Sequence, residues 1–255
     1  MTGGLRIDSA ALSHEGRVRT NNEDAYCERP REGLWAVADG MGGHEHGEWA
    51  SAAIADALTM VVIPQDFDEA CEAIADGIHA ANRRVWRQGE QRGQQMGSTI
   101  VALFIRDRRF AILWVGDSRA YLVRRGMIHQ LSRDHTQVQE MIDRGLLSAA
   151  DAENHPMSHV LARAVGVRDD VEVDVIQDEI EPGDIFLLCS DGLTGQVEDF
   201  EIGEMLNLNE ADAATRKLVD LTLDRGAPDN VTIITVAVNE PTLLSFAEPA
   251  VTVEP

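Results

Sequence analysis

The sequence predicts an α+β fold in which mainly antiparallel sheets carry their helices on the outside. Three observations lead there. Strand-length apolar runs and helix-length periodic segments come in blocks, without the regular alternation of a parallel βαβ sheet. Consecutive strand candidates are separated by turns as short as Arg106-Asp107-Arg108 and Arg124-Arg125-Gly126, which demand an antiparallel return. Finally, four apolar runs each meet an aspartate at one end, and strands sharing a core can bring such ends together.

Residues 5–13 make the opening strand, and a polar loop from Gly16 to Asp24 follows. Ala25 to Glu28 and Leu34 to Ala38 read as two strands joined through Pro30-Arg31-Glu32-Gly33. From Glu48 the period becomes helical, with Ala50, Ala53, Ile54, Ala57, Leu58 and Val61 on one face and Pro64 as the stop. A second helix spans about Asp66 to Gln91, with Ala70, Ile74, Ile78, Ala81 and Val85 aligned. A β-meander comes next: Thr99–Ile105, Arg109–Val115, Arg119–Val123 and Met127–Leu131. Residues 134–170 lose the strand pattern and read as an inserted flap with short helices near 137–144 and 148–154. Strands return at Val171–Ile176 and Asp184–Ser190. Two helices, about 199–206 and 210–225, and a last strand, Val231–Val238, complete a domain expected to cover residues 1–240. Residues 241–255, with three prolines in the tail from Glu240, are expected to be disordered.

The aspartates carry the chemistry. Leu34-Trp35-Ala36-Val37-Ala38 ends in Asp39, and the turn Gly40-Met41-Gly42-Gly43 lets backbone approach a ligand closely. The pattern recurs at Asp117, Asp191 and Asp229. Any one of these reads as a turn or a helix cap, but four converging carboxylates would repel one another strongly. Hard divalent cations such as Mg²⁺ or Mn²⁺ relieve that repulsion, because carboxylates, carbonyls and water are their preferred ligands.

Composition narrows the function. A formal charge of −22 on 255 residues argues against nucleic-acid binding, since a phosphate backbone attracts basic surfaces. No apolar run approaches the roughly 18 residues of a membrane span, and Met1 to Arg6 lack a secretory apolar core. Cys27, Cys71 and Cys189 are widely spaced and odd in number, which fits a reducing, cytoplasmic setting better than a disulfide framework. There is no Cys followed six residues later by Arg, no Asp-x-Asp-x-Thr and no Walker lysine motif, which excludes three other phosphoryl-transfer chemistries.

Taken in order, Arg19-x-x-x-Glu23-Asp24, Asp39-Gly40-Met41-Gly42-Gly43, Gly97-Ser98-Thr99, Gly116-Asp117-Ser118-Arg119, Ser190-Asp191-Gly192 and Asp229-Asn230-Val231-Thr232 resemble the ordered motifs of the metal-dependent protein serine/threonine phosphatases of type 2C. The likeness covers about residues 8–238, and Met-Gly-Gly after Asp39-Gly40 is similar to the bacterial branch. It implies a four-layer α-β-β-α sandwich of two antiparallel sheets with a binuclear Mn²⁺ or Mg²⁺ centre at one edge. By this resemblance Asp39 bridges two ions, the Gly40 carbonyl ligates one, and Asp191 and Asp229 ligate the other. Glu23 and Asp24 would hold metal-bound waters, and Asp117 with Asp191 would form a weaker third site. Arg19 would grip the substrate phosphate with its bidentate fork. The implied reaction is direct attack on phosphoserine or phosphothreonine by a metal-activated water, and the implied partners are a serine/threonine kinase and its phosphorylated targets.

Some residues resist assignment. Many eukaryotic members carry His where Met41 stands, so the leaving-group acid is unassigned; His44 and His46 are near in sequence but read more simply as helix-opening residues. His129, His135, His155 and His159 show no ligand spacing and read as structural, Ser98 and Thr99 as strand-start residues, and Cys189 as core. The rival reading is a catalytically weak phosphatase-like module that binds phosphoproteins; it predicts a missing bridging Asp or phosphate Arg, and both are present.

Overall fold

The computed structural model describes residues 5–43, 45–152, 155–157 and 160–240. The strands are β1 (Arg6–His14), β2 (Asp24–Arg29), β3 (Leu34–Met41), β4 (Gly97–Ser98), β5 (Ile100–Arg106), β6 (Arg109–Val115), β7 (Arg119–Arg124), β8 (Met127–Gln130), β9 (Asp174–Glu179), β10 (Ile185–Cys189) and β11 (Val231–Asn239). The helices are α1 (Glu45–Met60), α2 (Phe67–Arg92), α3 (Gln137–Asp143), α4 (Ala149–Ala152), α5 (Asp191–Thr194), α6 (Asp199–Leu208) and α7 (Ala211–Asp224).

One sheet runs β1-β11-β10-β7-β8 and the other β2-β3-β5-β6-β9, with β4 paired to β3. Every pairing is antiparallel. The strands alternate as pleated strands must. Trp35 and Val37 of β3 point to the space between the sheets, where they join Phe186, Leu188, Ile234 and Val236. Phe110 and Phe186 meet there edge-on at 4.8 Å, one ring from each sheet. Leu34, Ala36 and Ala38, on the opposite face of β3, pack under Ile54 and Leu58 of α1 and Ile74 and Ile78 of α2. On the far side Leu187, Cys189, Val231 and Ile233 lie against Ile202, Leu206 and Leu218 of α6 and α7. The result is helices, sheet, sheet, helices, as the motif order implied. Burying each of these large side chains stabilises the fold by about 1.5–3 kcal/mol.

Local signals set the boundaries. Asp66 caps α2 by accepting from the backbone N–H of Asp68 and Glu69, and Gly93 ends it in the left-handed region at φ 63°. α1 stops at Met60, short of Pro64, and Arg29 donates to the Leu58 and Val61 carbonyls at its end. The β7–β8 turn places Arg125 and Gly126 both at positive φ, the twist that a two-residue hairpin needs.

Four expectations change. The strands from Thr99 to Leu131 are not one meander: β5–β6 and β7–β8 are hairpins in different sheets, and Gly116-Asp117-Ser118 carries the chain across. α1 begins at Glu45, three residues before Glu48, where the helical period starts in the sequence. β9 starts at Asp174, while Val171 is buried under the α1–α2 layer instead of extending the strand. The Asp191 mouth opens into the short helix α5, a turn too brief for any periodicity to reveal. His44, His159, part of the second flap helix and the expected disordered tail lie outside the described residues.

Candidate active site

The site lies at the edge of the sandwich where β3, the β6–β7 crossing, the end of β10 and the start of β11 come together. A cleft of about 670 Å³ opens there. It is lined by Arg19, Glu23, Asp39, Gly40, Asp117, Asp191 and Asp229, seven of the eight site residues the sequence singled out. Asp24 is the eighth and lies below, as the cross-strand partner of Asp39. Val160 to Ala164 form another wall.

Backbone pairing fixes Asp39. Its N–H donates to Thr99 Oγ1 at 3.0 Å, its carbonyl accepts from the Thr99 N–H at 2.8 Å, and the next N–H, of Gly40, donates to the Glu23 carbonyl at 3.0 Å. Gly40 must lack a side chain, because a Cβ there would stand 2.1 Å from the Gly47 carbonyl oxygen on α1. Gly47 is constrained in turn, since its Cβ would lie 1.9 Å from Glu23 Oε2. Helix α1 can therefore press its first turns against the acidic cluster only because both residues are glycine.

Asn230 joins the separate loops. Its Oδ1 accepts from the Glu23 N–H at 2.8 Å, and its Nδ2 donates to the carbonyls of Glu15 and Asn21, each at 2.9 Å. That stitches the Arg19 loop to the start of β11. Arg19 Nη2 donates to Asp229 Oδ2 at 2.7 Å. The Arg19 side chain is about half exposed, so this ion pair contributes little stability and leaves the guanidinium easy to redirect.

The carboxylates repel one another. Burial raises the Asp39 pKa well above the usual range, and Asp24, Asp191, Asp117 and Asp229 each add to the rise. Asp24 is pushed up to about 7 by burial, partly offset by hydrogen bonds from Ser190 and Thr232 and reinforced by Asp191 and Asp229. Asp117 is likewise pushed up to about 7, by burial first and then by Asp191 and Asp134. Asp24 Oδ2 accepts from Ser190 Oγ at 2.7 Å, but its Oδ1 is buried with no hydrogen-bond partner.

These observations fit divalent cations: hard oxygen donors, mutual repulsion, and a buried Asp24 carboxylate oxygen with no hydrogen-bond partner. Among the described residues, no three Asp, Glu, His or Cys side chains close on one point tightly enough to enclose an ion alone.

Sequence reasoning missed the supporting residues. Ser190, Asn230 and Ser118 each adjoin a site aspartate, and Thr99 braces Asp39 while sharing a 2.6 Å hydrogen bond with Ser118. A hydroxyl or amide beside Asp117, Asp191 and Asp229 was the available signal; Asp39, between Ala38 and Gly40, has none. Met41 lines the cleft and cannot titrate, while His46 lies within 3.5 Å of Arg92 on α2. His135, read as structural, is buried behind the Asp117 turn, and burial followed by the Arg163 charge lowers its pKa against the opposing pull of Asp174.

Known proteins with this arrangement identify the family. The model of the protein phosphatase 2C family matches residues 9–141. The serine/threonine protein phosphatase PstP of Mycobacterium tuberculosis is 36% identical over 232 residues, covering 90% of this chain and 45% of that protein. The chain thus spans under half the length of that relative. Protein phosphatase PhpP of Streptococcus pneumoniae is 32% identical over 243 residues, covering 92% of this chain and 98% of the relative. Among solved structures, PppA of Pseudomonas aeruginosa superposes with a TM-score of 0.85 at 41% identity, over 91% of this chain and 97% of its own. A PstP catalytic domain in complex with two manganese ions superposes with a TM-score of 0.82 at 34% identity, over 92% of this chain and 99% of that one. The chain belongs to the protein phosphatase 2C family.

Proposed function

We propose that the chain hydrolyses phosphoserine and phosphothreonine in proteins with residues of the acidic cleft, residues 1–240 acting as one catalytic domain. The observation that carries this reading is the convergence of Asp39, Asp117, Asp191, Asp229 and Glu23 on one cleft beside Arg19. Asp39 would serve two ions, with the Gly40 carbonyl on one and Asp191 and Asp229 on the other. Asp117 with Asp191 would hold a weaker third, and Glu23 and Asp24 would orient waters. Two bound divalent ions supply the Lewis acidity that makes water a nucleophile near neutral pH.

The chain's own groups do the rest. Arg19 leaves Asp229 for the phosphate oxygens, where its planar fork matches two of them and its charge offsets the build-up in the transition state. Thr99 and the Glu23 carbonyl hold the Asp39–Gly40 backbone still, so the donors need not reorganise when substrate arrives. The partners that suit this chemistry are a serine/threonine kinase and its phosphorylated targets; the names of the relatives support phosphorylated proteins as the general class. A cytoplasmic site of action agrees with three free, buried cysteines and with the lack, among the described residues, of any helix long and apolar enough to cross a membrane.

The test is phosphate release from a phosphothreonine peptide with Mn²⁺, with Mn²⁺ plus excess chelator, and with Asp191→Ala. Release that needs the metal and is lost in the variant supports the reading. Release that persists in chelator would overturn it.

A further inference from the structure

Asp117 sits on the β6–β7 link, one of those that carry the chain from one sheet to the other, and ladder pairing on either side ends before it reaches this residue. What holds it is the dipeptide Asp134-His135, seventeen residues further on. Gly116 has both backbone groups taken by His135: its N–H donates to His135 Nδ1 at 3.1 Å, and its carbonyl accepts from the His135 N–H at 2.9 Å. On the other side Asp134 grips Arg119 with two parallel bonds, Nε to Oδ1 at 2.9 Å and Nη2 to Oδ2 at 2.7 Å. Asp134 and His135 therefore bracket the Asp117 turn from both ends.

The imidazole is itself locked. Because Nδ1 accepts from Gly116, the ring proton belongs on Nε2, which faces Asp174 Oδ2 at 3.2 Å. The other Asp174 oxygen accepts from Arg163 Nη1 at 2.6 Å. The ring lies nearly parallel to Trp114, 18° apart with centroids at 6.1 Å. The His135 carbonyl, meanwhile, accepts from the Ala162 N–H at 2.8 Å, and both Ala162 and Arg163 line the cleft. One histidine thus touches the backbone of the Asp117 turn, the cleft wall and the first residue of β9.

We propose that His135 is a positioning residue for Asp117: fixed as the Nε2–H tautomer by Asp174, it holds the Gly116–Asp117 turn at the angle from which the carboxylate meets a divalent ion, in register with the wall formed by residues 160–164. The proposal rests on the reading of Asp117 as a ligand of the weakest ion. Groups that orient metal ligands from behind commonly change metal affinity by about 10–100-fold when removed.

The experiment is a Mn²⁺ titration of the chelator-stripped full chain by calorimetry, alongside its metal-free melting temperature. Four variants are compared with wild type: Asp117→Asn, His135→Gln, His135→Asn and Asp174→Asn. Asp117→Asn should remove the weakest ion; if it does not, the ligand reading fails and the positioning role falls with it. Given that loss, His135→Gln should weaken the same ion by about tenfold or more while the tighter ions stay within about twofold. His135→Asn should retain most of the affinity, because its Oδ1 can stand where Nδ1 accepts from Gly116. Asp174→Asn offers its amide N–H to Nε2, since Arg163 keeps the oxygen; that reverses the tautomer and should weaken the ion as His135→Gln does. This variant also answers the question should His135→Gln fail to fold. A weakest-ion affinity unchanged in both His135→Gln and Asp174→Asn, or all ions weakened equally, would overturn the proposal.

Discussion

Arg19 and Asp229 form an ion pair at 2.7 Å, yet Arg19 is about half exposed, so the guanidinium can exchange one oxyanion for another at small cost. Arg19→Ala should lower kcat/KM for a phosphothreonine peptide by roughly 10²-fold, with both a higher KM and a lower kcat, because a charged donor to the transferring group acts in both states. Unchanged steady-state constants would remove Arg19 from the site. The aspartates give a prediction about pH. Asp24 and Asp117 titrate at about 7 in the folded chain, against 3.8 for a free aspartate. A carboxylate whose folded pKa is raised binds more protons folded than unfolded, so it lowers stability as pH climbs from about 4 to about 7. Chelator-stripped protein should therefore melt at a lower temperature at pH 8 than at pH 5. Asp117→Asn should narrow that gap, and a gap unchanged by the substitution would mean that Asp117 does not titrate in this interval.

At the scale of elements, the site depends on α1 reaching the cluster through two glycines, and stability elsewhere depends on ordinary caps. Gly47→Ala would drive a methyl to within 2.8 Å of the Gly40 carbonyl oxygen and closer still to the Glu23 carboxylate. Its expected signature is weaker Mn²⁺ binding and a lower kcat. Asp66→Ala, which removes the α2 cap far from the cleft, should cost about 1 kcal/mol in urea unfolding and leave kcat unchanged. If the two variants lost activity in proportion to stability alone, the contact between α1 and the cluster would have no special role. These elements were legible in unequal measure. α2 could be read almost to its ends because its cap, apolar face and terminal glycine all agree. β3 could be recognised as a strand, but Leu34 to Ala38 face two different cores, so the run is apolar throughout and its period of two is hidden. For the same reason the β6–β7 link passed for a hairpin: Gly-Asp-Ser is turn chemistry whether the next strand joins the same sheet or the other one.

For the molecule as a whole, the two sheets exist in a form that brings residues from 19 to 229 to one rim. The acidic residues of that rim could be found in the sequence because each interrupts an apolar run. Ser190 and Asn230 stand beside site aspartates in the sequence, but what they hold, like the partners of Thr99 and His135, lies far off along the chain and only the folded topology supplies it. The folded chain is left with mutually repelling buried carboxylates, and cations that bind only this form should stabilise it by mass action. The most direct measurement is the number of Mn²⁺ ions bound by the chelator-stripped chain, counted by calorimetry, in wild type and in Asp39→Ala. The account predicts at least two ions for wild type and loss of the tightly held pair together in the variant. Equal stoichiometry and affinity in the two proteins would contradict it.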